Sequence, residues 1–178
     1  VSQADLNSTD SLLKALAGSY AVFLVTNYWE KADGNLEYSQ GKNVTDVAKI
    51  CDVSYLIFSS LLHVTEESNG RLKHVPHFDS KANVEKYIKS SGIKCAFVLP
   101  GFYMQNLTTM IRKGDDGAYQ LVFPVDGNKA KFPLFDAAND TGKLGFFPVA
   151  PLRSSMAISL TVLFRTVCQG RFETQRHA

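Results

Sequence analysis

The stretch Ala21-Val22-Phe23-Leu24-Val25-Thr26-Asn27-Tyr28-Trp29-Glu30 decides the fold. Its first five residues form an unbroken apolar run, as expected of a strand buried on both faces. The run then ends in a hydroxyl, an amide and two aromatic rings. Two later segments repeat the pattern. Tyr55-Leu56-Ile57-Phe58 ends in Ser59-Ser60, and Cys95-Ala96-Phe97-Val98-Leu99 ends in Pro100-Gly101, where the chain must leave a sheet. Between these runs the spacing turns helical. Leu36 to Cys51 carries Val44, Val47, Ala48 and Cys51 on one side, and Ser80 to Ser90 carries Val84, Tyr87 and Ile88 before Ser90-Ser91-Gly92 ends it. A strand–helix–strand–helix–strand order implies parallel strands joined by right-handed crossovers. Ligands of such sheets bind beyond the carboxyl ends of the strands. Thr26-Asn27-Tyr28, Ser59-Ser60 and Gly101-Phe102-Tyr103 would gather there.

Upstream, Asn7-Ser8-Thr9-Asp10 reads as a helix start, with Leu12, Leu13 and Leu16 on its apolar face and Gly18 closing it. His63 to Pro76 is polar and reads as a loop. After Asn106 a short helix is expected to Lys113, then a turn at Asp115-Asp116-Gly117, a strand from Tyr119 to Val125 and a turn at Asp126-Gly127-Asn128. From Leu144 onward the composition changes. The segment holds Arg153, Arg165, Arg171 and Arg176 but only Glu173 as an acid, and is expected to be poorly ordered or loosely helical near Met156 to Val167.

The 178 residues suffice for one domain with a real core. A net charge of +2 gives no electrostatic reason to expect nucleic-acid binding, and no apolar run is long enough to span a bilayer. The three cysteines, Cys51, Cys95 and Cys168, show no C-x-x-C spacing and are expected as free thiols. His63, His74 and His77 lie close together, yet no carboxylate or cysteine stands at ligand spacing in the loop between them, so no metal site is expected.

Several of these segments together resemble the NmrA-like family, atypical relatives of the short-chain dehydrogenases. They are Asp5-Leu6, Ala21 to Glu30, Tyr55 to Ser60, His77-Phe78-Asp79-Ser80-Lys81 with Val84-Glu85-Lys86-Tyr87, and Leu99 to Asn106. The resemblance covers Val1 to Lys143. It implies an α/β fold, an incomplete Rossmann-type parallel sheet with flanking helices, and a divergent tail over 144–178. It also implies NADP or NAD as cofactor. Asp5 and Leu6 would lie beside the adenine, and Thr26, Asn27 and Tyr28 along the cofactor path. Lys81 would meet the nicotinamide ribose, Pro100, Phe102 and Tyr103 the nicotinamide end, and Asn106 also matches the family pattern. The family's regulators of nitrogen-metabolite repression imply a cytoplasmic or nuclear protein. Such a protein would act on a partner such as a GATA-type transcription factor, with no direct contact to nucleic acid or membrane.

Catalytic short-chain dehydrogenases use a Tyr-x-x-x-Lys pair, in which the lysine lowers the tyrosine pKa. Here His77 replaces the tyrosine and Lys81 is kept, so no catalytic residue is assigned. The resulting expectation is an NAD(P)-dependent sensor, with an isoflavone- or quinone-reductase-type oxidoreductase as the alternative. A glycine-rich phosphate loop is not found among these residues. The chain, which begins without methionine, therefore reads as a fragment, functional or not, with weak or absent dinucleotide binding of its own.

Overall fold

The computed structural model describes residues 3–122, 131, 133–146 and 163–165. They fall into two compact units, Val1–Leu99 with Phe164–Ala178, and Pro100–Leu163.

The first unit opens with α1 (Thr9–Leu16), whose N-cap Ser8 accepts a hydrogen bond from the Ser11 N–H. The chain then enters β1 (Ala21–Leu24), and a 3-10 turn at Tyr28–Glu30 takes it to α2 (Gly34–Ile50). Helix α2 starts two residues before the expected Leu36. Asp33 caps it, accepting from the Asn35 and Leu36 N–H groups, and so offsets the poor helix propensity of Gly34 and Asn35. Next come β2 (Tyr55–Ser59), a short helix α3 (Val64–Glu67), α4 (Pro76–Ser91) and β3 (Cys95–Leu99). Helix α3 lies inside the expected loop. One turn of Val-Thr-Glu-Glu leaves no periodicity to read, and His63 holds its start by accepting from the Glu66 N–H. Helix α4 begins on Pro76, which is preset for a first helical turn, and ends at Gly92 with φ +79°.

Strands β1, β2 and β3 are parallel and adjacent, with Leu24 beside Phe58 and Phe58 beside Phe97. A further strand, β8 (Leu163–Arg165), follows β3 in the sheet order. Within the tail expected to be poorly ordered or loosely helical near Met156 to Val167, residues 163–165 form this strand, where pairing satisfies backbone groups along the sheet edge. The rest of that stretch lies outside the described residues. One core joins Leu24, Leu56, Phe58, Phe97 and Leu99 of the sheet to Leu12, Val44, Val47, Val84 and Ile88 of the helices. Burying each such side chain contributes about 1.5–3 kcal/mol. Helices α2 and α4 approach closely because α2 carries Gly41, where a Cβ would stand 2.4 Å from Val84 Cγ1.

In the second unit β4 (Phe102–Tyr103) pairs in parallel with β7 (Leu134–Phe135). A 3-10 turn at Met104–Asn106 and α5 (Leu107–Met110) follow β4. The helix expected up to Lys113 stops early. Ile111–Lys113 is instead β5, the partner of β6 (Tyr119–Leu121) in an antiparallel hairpin closed by Gly117 at φ +80°. The β-branched Ile111 and the Asp-Asp-Gly turn favour the hairpin. The second half of the expected Tyr119–Val125 strand and the turn at Asp126 lie outside the described residues. The compositional break at Lys143 falls within α6 (Ala137–Phe146).

Candidate functional site

Beyond the carboxyl end of β1, three elements meet around one ammonium group. Thr26 continues the strand, Glu37 stands in the first turn of α2, and Ser80 and Lys81 stand in the second turn of α4. Lys81 Nζ donates to the Thr26 carbonyl at 2.7 Å, to Thr26 Oγ1 at 2.9 Å and to Glu37 Oε1 at 2.8 Å. An ammonium has three N–H groups, and all three are engaged. Glu37 is only 1% exposed, and its oxygens also accept from Thr26 Oγ1 at 2.7 Å and from Ser80 Oγ. Thr26 and Ser80 are buried as well. A charge pair this far from water persists only because every polar atom in it has a partner.

One turn earlier on α4, His77 has quite different surroundings. Its ring centroid lies 4.9 Å from Trp29, 5.8 Å from Tyr28 and 5.0 Å from Phe78. Tyr28 and Trp29 themselves meet edge to face at 5.1 Å. Among the described residues the His77 imidazole has ring contacts and no hydrogen bond. Trp29 is 69% exposed.

A third cluster ties the segment after β2 to α4. His63 Nδ1 lies 3.1 Å from Asp79 Oδ1, and Nε2 lies 3.5 Å from Glu66 Oε1. Asp79 also accepts from the Thr65 N–H at 3.2 Å and from its hydroxyl at 2.5 Å. Desolvation pushes the Asp79 carboxyl up, but the Thr65 hydrogen bonds and His63 outweigh it, and the carboxyl titrates below its ordinary value. No group of three or more metal-ligating side chains occurs among the described residues. An open groove of about 840 Å³ runs along α2 and α4 past Tyr38, Asn83 and Tyr87, but neither Thr26 nor Lys81 lines it.

The expected site residues divide between the two units. In the first, Thr26 and Lys81 are in direct contact. Tyr28 is buried beside His77, and Asn27 is exposed with its side chain capping the 3-10 turn by accepting from the Trp29 N–H. Asp5 and Leu6 form a loop fixed to α2. The Asp5 carboxylate accepts from Asn7, and the Leu6 carbonyl accepts from Asn43 Nδ2 at 3.0 Å. In the second unit, Phe102 and Tyr103 form β4, and the Tyr103 ring lies 5.7 Å from Phe135. Pro100 precedes β4, and Asn106 is exposed at the start of α5. Glu37 and Ser80 were not among the expected residues. The signal for Glu37 is its phase, since it shares the buried face of α2 with Gly41, Val44 and Ala48.

A parallel sheet with helices packed on it, and polar side chains gathered beyond its carboxyl ends, defines a Rossmann-type α/β protein. The chain belongs to the NmrA-like family, whose pattern matches residues 1–146. It is 26% identical over 161 residues to the NmrA-like family domain-containing oxidoreductase ptmS of Penicillium ochrochloron, covering 80% of this chain and 47% of that protein. It is 29% identical over 140 residues to the nitrogen metabolite repression protein nmr of Neurospora crassa, covering 75% of this chain and 27% of that protein. The crystal structure of NmrA, a negative transcriptional regulator, in complex with NAD superposes with a TM-score of 0.70 at 25% identity. That likeness covers 84% of this chain and 47% of the other. The chain thus spans less than half the length of these relatives. No helix among the described residues is long and apolar enough to cross a membrane.

Proposed function

We propose that the protein is a non-catalytic NAD(P)-sensing regulator that acts by binding another protein, a transcription factor of the GATA type being the partner the family suggests. Such a role belongs in the cytoplasm or nucleus. The observation that carries this reading is that His77 and Lys81 have different partners. A working acid–base pair needs its lysine beside the proton-transfer group. Here the ammonium is committed to Thr26 and Glu37, and the imidazole is packed among rings.

The side chains at the β1 tip suit a dinucleotide in their chemistry. The strand tip at Thr26, Asn27 and Tyr28 lies where nucleotides bind in such sheets. Lys81 can exchange a donor to a ribose hydroxyl, while the family resemblance would give Pro100, Phe102 and Tyr103 the nicotinamide end and Asp5 and Leu6 the adenine, with Asn106 matching the family pattern. A bound nicotinamide would supply hydride chemistry, and these residues would orient it. The oxidoreductases among the relatives favour a second reading, reduction of a quinone-like acceptor.

Hydride transfer separates the two. NADPH oxidation with quinone acceptors should show no turnover above background, and turnover abolished by Lys81→Ala would overturn the sensor reading. Calorimetry on the 178 residues should give weak or undetectable NADP binding, because no glycine-rich phosphate loop is among them. Micromolar affinity would show that other donors hold the pyrophosphate.

A further inference from the structure

The hydrogen-bond count around Lys81 leads to a residue that the motif spacing does not include. We propose that Glu37 is the positioning residue for Lys81, fixing where its ammonium points and which of its donors a ligand can take. The proposal rests on reading the β1 tip as a dinucleotide site, and its main test does not depend on a dinucleotide.

With all three N–H groups engaged, Lys81 can serve a ligand only by exchange. The three acceptors are unequal. The Thr26 carbonyl belongs to the backbone, and the Glu37 carboxylate carries the compensating charge in a site where Lys81 is 14% and Glu37 1% exposed. Charge-assisted hydrogen bonds are the stronger kind. Thr26 Oγ1 is neutral, makes the longest of the three contacts, and keeps its own hydrogen bond to Glu37 if Lys81 leaves it. Exchange therefore falls on Thr26 Oγ1, with Glu37 and the Thr26 carbonyl still holding the ammonium. Ser80 Oγ donates to the other carboxylate oxygen, so the carboxylate cannot turn away from Lys81 without losing that bond. Helix α2 thus supplies the group that aims a lysine on α4, and Glu37 acts through Lys81 without touching the ligand.

The test is lysine acylation of the 178-residue chain, read by peptide mass spectrometry on wild type, Glu37→Gln and Ser80→Ala. In wild type Lys81 should be acylated more slowly than Lys42 or Lys86, which are about half exposed. In Glu37→Gln the Lys81 rate should rise about tenfold, the loss of one charge-assisted contact, with Lys42 and Lys86 unchanged. An unchanged Lys81 rate would overturn the proposal. If Glu37→Gln speeds every lysine, the variant has lost its fold and Ser80→Ala decides: a rise confined to Lys81 supports the proposal, and no rise overturns it. Titration with NADPH supplies the second readout. Weaker binding by Glu37→Gln is expected, whereas tighter binding would make Glu37 a competitor for Lys81 and overturn the positioning role. If wild type takes up too little NADPH to measure, as expected of residues without a glycine-rich phosphate loop, acylation alone decides what Glu37 does to Lys81.

Discussion

His77 and Lys81 stand one helical turn apart on α4, yet they belong to two different kinds of site. Lys81 is enclosed by acceptors, with its charge matched by a buried carboxylate. His77 is enclosed by rings, beside an indole that is mostly in solvent. In a dehydrogenase the same spacing makes one device, because the lysine tunes the group four residues before it. Here α2 captures the lysine and the turn after β1 captures the histidine. Motif spacing places two side chains on one helix face, and the neighbouring elements then determine whether they cooperate.

The sharpest way to break the contrast is to remove Glu37. Glu37→Ala should cost about 3–5 kcal/mol in urea unfolding, because it leaves the Lys81 charge uncompensated in a largely buried site. Trp29→Ala, at the other end of the contrast, should change stability by no more than about 0.5 kcal/mol, as befits an exposed side chain. Equal losses would mean that the aromatic cluster carries stability after all.

A smaller effect tests Asp79, which lies between the two on α4. Its folded pKa is depressed, so its contribution is present above the unfolded aspartate value of about 3.9 and is lost as pH falls through the lower folded value. Thr65→Val removes the hydroxyl that helps to hold the carboxylate. The variant should lose about 1 kcal/mol at pH 7 by urea unfolding, discounted for partial exposure, and the gap should narrow towards pH 3. A gap independent of pH would mean that the contact stabilises through packing alone.

The smallest effect is optical. Trp29 is the sole tryptophan, and its ring lies 4.9 Å from His77. Its emission should therefore change on His77→Phe, which replaces the ring beside it, and stay as in wild type on Lys81→Met. Emission unaffected by His77→Phe would mean that the indole does not sense that ring.

Much of the first unit was legible because burial leaves a local trace. The runs at Ala21, Tyr55 and Cys95 are strands because continuous apolar residues suit a sheet, although the first is not buried on both faces as expected: Leu24 is buried while Phe23 and Val25 are exposed; α4 shows its helical period plainly. The misses have equally local causes. Helix α3 is a single turn, and β5 is three residues long and takes its form from pairing with β6 across the Asp-Asp-Gly turn. The site was legible by half. Lys81 could be found by its spacing from residue 77. The Glu37 contact to Ser80 spans 43 positions and exists only once α2 and α4 pack side by side around Gly41 and Val84.

The sequence alone determined that the chain would form parallel strands with polar tips and that position 77 would carry an imidazole in place of a phenol. Both are properties of residues and their near neighbours. Only the tertiary structure decided that Lys81 would point at Glu37 rather than towards His77. A lysine carries three donors on a flexible stem, and its direction is set by the acceptors that folding brings within about 3 Å.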